Sequence, residues 1–271
     1  MSIPRMAETL PEWMAFLEGL AADVEAGRLS DWPSYAARAR AFYTPEMMAR
    51  IEPVVPDWGL MATFANQQTL IHVTSVLTAL LRLDEYQQAE PERRAVMEWI
   101  VLFHDIAKEA RRGSHDYVHG FRSAAVAGRS LAGLGFPAAA DFGERIDGWY
   151  DLTYQAVRTR EDVADPIQDN RQLEAIVSGI EGLYGVDSPA YLVVMAVLLH
   201  LSVDLKDDYP TVAPLDDAGL KRHVTPSVLP YLRMMLRLDN DGWLQFDPED
   251  RAIQRERVRV AFDRIARLHE D

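Results

Sequence analysis

Helical segments follow one another along almost the whole 271-residue chain, and this pattern limits the fold more than any other feature of the sequence. Several segments open with a polar residue followed by proline, as at Thr44-Pro45, Thr225-Pro226 and Asp247-Pro248. Proline suits the first helical turn because the N–H that it lacks would have no partner there. No convincing alternation of apolar and polar residues indicates a sheet. The sequence therefore predicts an all-α protein.

The periodicity of apolar residues predicts the following helices, with boundaries good to a few residues. They cover residues 11–27, 32–50 with a break near Pro45, 62–83, 91–108, 116–134, 138–154, 170–183, 188–205, 226–238 and 248–269. The length suits one domain over residues 1–271, with enough chain for a sizeable core.

Composition excludes several kinds of function. The net charge of −14 makes nucleic acid an unfavourable partner, although a small phosphorylated ligand can still bind where a metal and a few cations reverse the local field. The chain has no cysteine, which rules out disulfides, zinc knuckles and thiol nucleophiles. Neither a Gly-x-Ser-x-Gly elbow nor a phosphate-binding glycine loop is present.

The most apolar run is AYLVVMAVLLHLSV, from Ala190 to Val203. It is too short to span a bilayer and contains His200, so we interpret it as a buried core helix. The N-terminal residues lack the pattern of a targeting signal. We therefore expect a cytoplasmic protein without membrane contacts. Arginines on the last predicted helix leave a homo-oligomer open.

Four candidate metal ligands or catalytic groups lie in LFHDIAKEARRGSHDYVHG, residues 102–120: His104, Asp105, His115 and His119. His104 and Asp105 close an apolar helix, and together they offer the mixed nitrogen and oxygen donors that suit Mn, Fe, Co, Ni, Zn or Mg. Two ligands alone would hold an ion weakly, so partners are needed elsewhere in the chain.

Two further polar residues on apolar helices are candidate partners. His72 lies within NQQTLIHVTSVLTALL, and Asp204 follows the apolar run that ends at Val203. A polar group in such surroundings is costly unless it is paired. Taken singly, His72 reads as a hydrogen-bonded core histidine and Asp204 as a helix-end charge. The order His, His-Asp, Asp on three apolar helices is harder to attribute to chance.

This order resembles the HD superfamily of metal-dependent phosphohydrolases, which are helical proteins named for the His-Asp pair. LFHDIAK carries the most specific part of the resemblance, and HGFRSAAVAGRSLAGLGFP and LLHLSVDLKDD resemble later family segments. The resemblance covers about residues 60–205, and residues 1–55 and 210–271 stay unassigned. It implies an HD-like helical bundle with additional N- and C-terminal helices, and it implies His72, His104, Asp105 and Asp204 as metal ligands.

The sequence departs from the family pattern in one respect. Members with two metals usually carry two more histidines between the His-Asp pair and the final aspartate. His119, or less favourably His115, can be the first, but the region DFGERIDGWYDLTYQ, where the second is expected, has only Asp147, Trp149 and Tyr150. A site for one divalent ion is therefore favoured over a site for two.

The resemblance also implies roles around the metal. Lys108 lies one helical turn after His104, where its ammonium group would meet a phosphate, and its alternative is an ordinary helix-end cation. His119 or His115 would protonate a leaving oxygen or hold the phosphate. His200 would line the pocket or orient Asp204.

Three functions remain open at this point. The favoured one is hydrolysis of a nucleotide or another small phosphate ester by a metal-activated water. The second is a di-iron oxygenase on the same scaffold, which would require the missing histidine. The third is a ligand-binding module without turnover.

Overall fold

The polar–proline pairs start helices at two of the three sites named above. In a computed structural model, Thr44 and Asp247 accept hydrogen bonds from backbone N–H groups of the helices that follow them. Thr225-Pro226 instead forms a turn, and the next helix begins at Leu229, with Pro230 in its first turn. The structure describes residues 3–62, 67–109, 116–161, 163–205 and 213–270.

The described residues are mostly helical, which confirms the predicted all-α class. The helices are α1 (Met6–Thr9), α2 (Pro11–Glu25), α3 (Trp32–Phe42), α4 (Pro45–Ile51), α5 (Trp58–Ala62), α6 (Gln68–Leu81), α7 (Asp84–Gln88), α8 (Pro91–Phe103), α9 (His119–Ser130), α10 (Phe142–Tyr154), α11 (Leu173–Tyr184), α12 (Pro189–Leu199), α13 (Asp217–His223), α14 (Leu229–Trp243) and α15 (Pro248–Arg267).

Five of these helices build the centre of the molecule. α12 packs against α8, α9 and α14, and α6 packs against α8 and α14. Residues 190–199 of α12 are all buried, as expected for a helix that is apolar on every side. No helix in the described part of the chain combines the length and the apolar character needed to cross a membrane.

The N-terminal segment is tied to this centre through a buried carboxylate. Glu98 on α8 accepts hydrogen bonds from the Tyr86 hydroxyl at 2.6 Å and from the backbone N–H of Met6 at 2.8 Å, and it forms an ion pair with Arg5. A buried charge is tolerated only when it is paired and hydrogen-bonded in this way. The unassigned residues before α6 therefore pack onto the same core.

A short hairpin departs from the expectation that the chain has no sheet. Strand β1 (Val157–Arg160) pairs antiparallel with β2 (Val163–Gln168). Each strand is too short to give a clear alternating pattern, and Pro166 within β2 removes a backbone donor and argues against a strand. For these two reasons the sequence pattern did not predict the hairpin.

Two helices that lead to the candidate ligands end earlier than predicted. α8 ends at Phe103 and α12 at Leu199, so His104 and His200 each occupy the position that caps the helix. The last carbonyl groups of a helix have no partner within it. These free carbonyl groups lie beside the candidate ligands, where they can accept hydrogen bonds from imidazole N–H groups.

Candidate metal centre

Six histidine and aspartate side chains from five helices and one turn converge in the core. α6 supplies His72 from its interior, and α14 supplies Asp239. His104 and His200 cap α8 and α12, and His119 is the first residue of α9. Asp105 follows His104 in the turn after α8. The packing of α6, α8, α9, α12 and α14 therefore assembles the site.

The first group of donors consists of His72, His104 and Asp239, whose ligand atoms all lie within 4.8 Å of one another. Nε2 of His72 is 2.7 Å from Oδ1 of Asp239, and Nε2 of His104 is 3.8 Å from the same oxygen. Both histidines are fully buried, whereas 35% of the Asp239 side chain is exposed. This group therefore reaches solvent on the side of Asp239.

The second group consists of Asp105, His119 and His200, again with ligand atoms within 4.8 Å of one another. Nε2 of His119 lies 3.0 Å from Oδ1 of Asp105 and 3.2 Å from Nε2 of His200. All three side chains are buried. Unlike the first group, this group has no solvent-exposed member among its three donors.

Asp105 also faces the first group. Its Oδ2 lies 3.8 Å from Nε2 of His72 and 3.7 Å from Nε2 of His104, while its Oδ1 faces His119. The two oxygens of one carboxylate thus point toward different groups. A carboxylate in this position can bridge two cations.

Two of the histidines are held in the unprotonated form, which favours cation binding. Burial, together with the neighbouring His119 and His104, lowers the pKa of His200 to about 3. Burial also lowers the pKa of His104, although Asp105 and Asp239 oppose the shift. Both imidazoles are therefore neutral near pH 7, which is the form that binds a metal.

The carboxylates are ionised. Burial alone would raise the pKa of Asp105, but Lys108, His104 and His119 together outweigh it and hold the pKa well below its usual value. Burial opposes ionisation of Asp239 as well, and the hydrogen bond with His72 contributes most to lowering its pKa. Negative charge is thus concentrated between the two groups.

Lys108 lies beside this charge. Its Nζ donates a hydrogen bond of 2.8 Å to Oδ2 of Asp105, and 17% of its side chain is exposed. Burial opposes its charged form, but Asp105 and Asp239 outweigh that effect and raise the pKa of Lys108. It is therefore a charged group at the centre and not an ordinary surface cation.

The donor set fits divalent metals. Four imidazoles and two carboxylates suit first-row transition metals such as Mn, Fe, Co or Zn better than Mg, which prefers oxygen ligands. Nε2 of His104 is buried and has no hydrogen-bond partner among the described residues. A buried polar atom normally has a hydrogen-bond partner, and coordination of a metal ion would give this nitrogen one. These buried groups could hold a metal ion.

The structure places three of the four expected ligands together and separates the fourth from them. His72, His104 and Asp105 converge, but Asp204 belongs to neither group of donors in the described residues. Because α12 ends at Leu199, Asp204 lies beyond a turn and no longer shares a helical face with His200. Asp239 supplies a carboxylate to the first group instead.

The expectations for the remaining histidines also change. His119 donates from Nδ1 to the carbonyl of Asp116 at 2.5 Å, and its Nε2 faces Asp105, so both nitrogens are engaged and a ligand role fits better than proton transfer. His200 offers a ligand atom to the second group, and its Nδ1 donates to the carbonyl of Val197. His115 lies outside the described residues.

The region that was expected to hold the second extra histidine lies away from the centre. Asp147 is exposed and pairs with Arg129, while Trp149 is buried with its Nε1 donating to the carbonyl of Ile176. His200 supplies the missing imidazole from much further along the chain. The described residues contain two groups of three donors, and either group could hold a metal ion.

Sequence reasoning missed Asp239 altogether and did not name His200 as a ligand. Asp239 lies on α14, outside the segment that resembled the family, and the sequence around it is rich in other charges. His200 carried a usable signal, because it is an isolated polar residue in the most apolar run of the chain.

Comparisons with family models, with curated proteins and with solved structures gave no match to this chain.

Proposed function

We propose that this chain is a metal-dependent phosphohydrolase that acts on a nucleotide or another small phosphate ester and holds two divalent ions at the six-residue centre. The observation that carries the proposal is Asp105, with one oxygen toward each donor group and Lys108 at 2.8 Å from Oδ2. Two cations and an ammonium group around one point would attract the oxygens of a phosphate.

Each residue has a distinct part in this proposal. His72, His104 and Asp239 would hold one ion, His119 and His200 the other, and Asp105 would contact both. Bound divalent ions lower the pKa of a water molecule and polarise a phosphoryl oxygen. Hydrolysis then adds water across a P–O bond, and Lys108 offsets negative charge on the phosphate. No nucleophile from the protein is required, in keeping with the absence of cysteine.

The test is a panel of phosphate esters assayed with added Mn²⁺, Co²⁺ or Mg²⁺, with the Lys108→Ala variant beside the wild type. We expect the variant to keep its metal, since lysine is not a ligand, and to lose about 10- to 1000-fold in kcat/KM. Lys221→Ala removes an exposed lysine of α13 and is the matched control, with no expected change. If Lys108→Ala turns over an ester as fast as the wild type, the role of Lys108 is rejected. If the metal-loaded wild type hydrolyses none of the esters, the proposed function is rejected.

A second candidate function is a di-iron oxygenase. His200 is the observation that favours it, because it completes a second group of donors that a two-iron centre requires. Metal number does not separate the two candidates, since both would use two ions. Oxygen consumption by the Fe²⁺-loaded protein, dependent on an added oxidisable compound, would support the oxygenase, whereas ester hydrolysis with Mn²⁺ or Co²⁺ under anaerobic conditions would support the hydrolase.

A further inference from the structure

The four histidines of the centre differ in what holds the nitrogen that faces away from the donors. In three of them Nδ1 donates to a backbone carbonyl three residues earlier. The pairs are His104 with Val101 at 2.7 Å, His119 with Asp116 at 2.5 Å and His200 with Val197 at 2.6 Å. Such a bond fixes the tautomer and the orientation of the ring, and it leaves Nε2 free to bind a metal.

His72 lacks this support. It lies in the interior of α6, where the carbonyl groups one turn earlier are used by the helix itself. Its Nδ1 is buried and has no hydrogen-bond partner among the described residues. Its Nε2 contacts Asp239 at 2.7 Å, but no hydrogen bond fixes the Nδ1 side of the ring in the described residues.

An indole ring covers His72 instead. The ring of Trp243 is stacked on the imidazole, with centroids 4.3 Å apart and planes inclined by 12°. The Trp243 residue is 47% exposed, whereas His72 is fully buried, so the indole separates the imidazole from solvent. Trp243 also lies one helical turn after Asp239 on α14. One helix therefore supplies both a donor of the first group and the ring that contacts another donor.

The backbones of α6 and α14 fix this arrangement. The hydroxyl of Ser75 donates to the carbonyl of Gly242 at 2.8 Å. A Cβ atom at Gly242 would lie 2.5 Å from Cγ2 of Val76, so the two helices approach each other as closely as a glycine allows. The register of α14 on α6 is thus set immediately beside the stacked rings.

We propose that Trp243 is a positioning residue for His72 and takes the place of the hydrogen bond that the other three histidines have. The proposal rests on the metal centre of the proposed function. Stacking restricts rotation of the imidazole and keeps Nε2 directed at Asp239 and Asp105. The ion held by His72, His104 and Asp239 then depends on Trp243, and the ion held by His119 and His200 does not.

The experiment compares Trp243→Leu with Trp243→Phe in the full-length protein. Protein stripped with a chelator is titrated with Co²⁺ in competition with a chromophoric chelator, which resolves a tight and a weak ion, and the visible absorption of Co²⁺ reports coordination. For Trp243→Leu we expect the affinity for one ion to fall about 10- to 100-fold, the effect typical of losing an outer contact to a ligand, while the other affinity is unchanged. Trp243→Phe keeps a flat ring and should recover most of the loss.

Trp32→Leu is the matched control. The ring centroid of Trp32 lies 5.8 Å from that of Trp243. Among the described residues, Trp243 stacks on His72 and Trp32 does not. Its removal should leave both affinities within about threefold of wild type. Thermal unfolding of each variant shows whether the fold is retained. The absorption spectrum of bound Co²⁺ should change in Trp243→Leu and not in Trp32→Leu.

Several results would overturn the inference. Wild-type affinity for both ions in Trp243→Leu would show that the stack does not position His72. Equal weakening of both ions would indicate a general structural effect, and failure of Trp243→Phe to recover binding would show that a flat ring is not what matters. If Trp243→Leu does not fold, the test rests on Trp243→Phe. A Trp243→Phe variant whose Co²⁺ spectrum and affinities differ from those of wild type would then contradict the inference. Wild-type protein that binds no Co²⁺ would instead reject the metal centre, and the inference with it.

Discussion

The two donor groups share Asp105 but are built differently. In the second group, His119 and His200 stand at helix ends, are buried, and have Nδ1 fixed by a backbone carbonyl. In the first group, His72 lies within a helix without such a bond, and Asp239 comes from α14 and is partly exposed. Local contacts therefore hold both histidines of the second group, whereas in the first group they hold only His104, and His72 and Asp239 depend on the packing of α14 on α6.

This difference predicts that the two proposed ions behave differently. A donor fixed by a carbonyl three residues away keeps its orientation as long as the local turn is intact. A donor fixed by contact between helices moves when the helices move. We therefore expect the second group to bind its ion more tightly, and the first group to exchange its ion and to face the substrate.

The largest effect is expected at the residue that the two groups share. Asp105→Ala removes the carboxylate that faces both, so both ions and all turnover should be lost, while the surrounding apolar core keeps the helical fold. Elemental analysis and circular dichroism measure the two quantities. Asp204→Ala is the matched control, since Asp204 belongs to neither group, and it should keep both ions. Full metal content in Asp105→Ala would contradict the shared centre.

The next effect separates the groups. Asp239→Ala should lose the ion of the first group and His200→Ala that of the second, so each variant should retain about one ion per chain. Turnover should fall at least about 100-fold in both, because removal of a direct donor exceeds the effect of removing an outer contact. Retention of two ions by either variant, or loss of two by both, would show that the groups are not separate sites.

The sequence predicted the all-α class and most helices. It named His72, His104 and Asp105 as ligands and His119 as a catalytic group or ligand, and the structure brings these four residues together. His72, His104 and Asp105 could be named because they are polar residues within or at the ends of strongly apolar helices, which is a local signal. Asp239 lies on α14 among Asp241 and several arginines, where a charge needs no special explanation. Its role depends on how α14 docks on α6, and that contact is not encoded in any short segment. His200 was named only as a pocket residue, because the sequence predicted a helix that continues to residue 205. In the structure α12 ends at Leu199, which places His200 at the helix end beside the other donors.

A smaller effect tests the dependence of the first group on helix packing. In Gly242→Ala the new methyl group would meet Val76 of α6, and overpacking of this kind costs about 2 kcal/mol of unfolding free energy. The affinity for the first ion should fall and that for the second should not. Gly19→Ala in α2, where a Cβ would meet nothing within 4 Å, is the matched control and should be neutral or stabilising. Unchanged affinity for both ions in a destabilised Gly242→Ala would contradict the dependence.

The smallest effect concerns the metal-free protein in mild acid. The pKa values of His104 and His200 are lowered in the folded state, so below about pH 6.5 the unfolded chain takes up protons that the folded chain does not. Stability should therefore fall by about 1 kcal/mol between pH 7 and pH 6. Asp105 and Asp239 stay ionised in both states over this range and do not contribute. Urea unfolding of wild type and His200→Ala checks this, because the variant should lose part of the pH dependence. An identical slope in both would exclude His200 as a source.

The most direct test of the shared centre is the electron paramagnetic resonance spectrum of the protein loaded with Mn²⁺. Two ions that contact the two oxygens of Asp105 must be close enough for their spins to couple. We predict two Mn²⁺ ions per chain and the spectrum of a coupled pair, which His200→Ala converts into the spectrum of an isolated ion. A wild-type spectrum that shows only isolated Mn²⁺ at full loading would contradict the account.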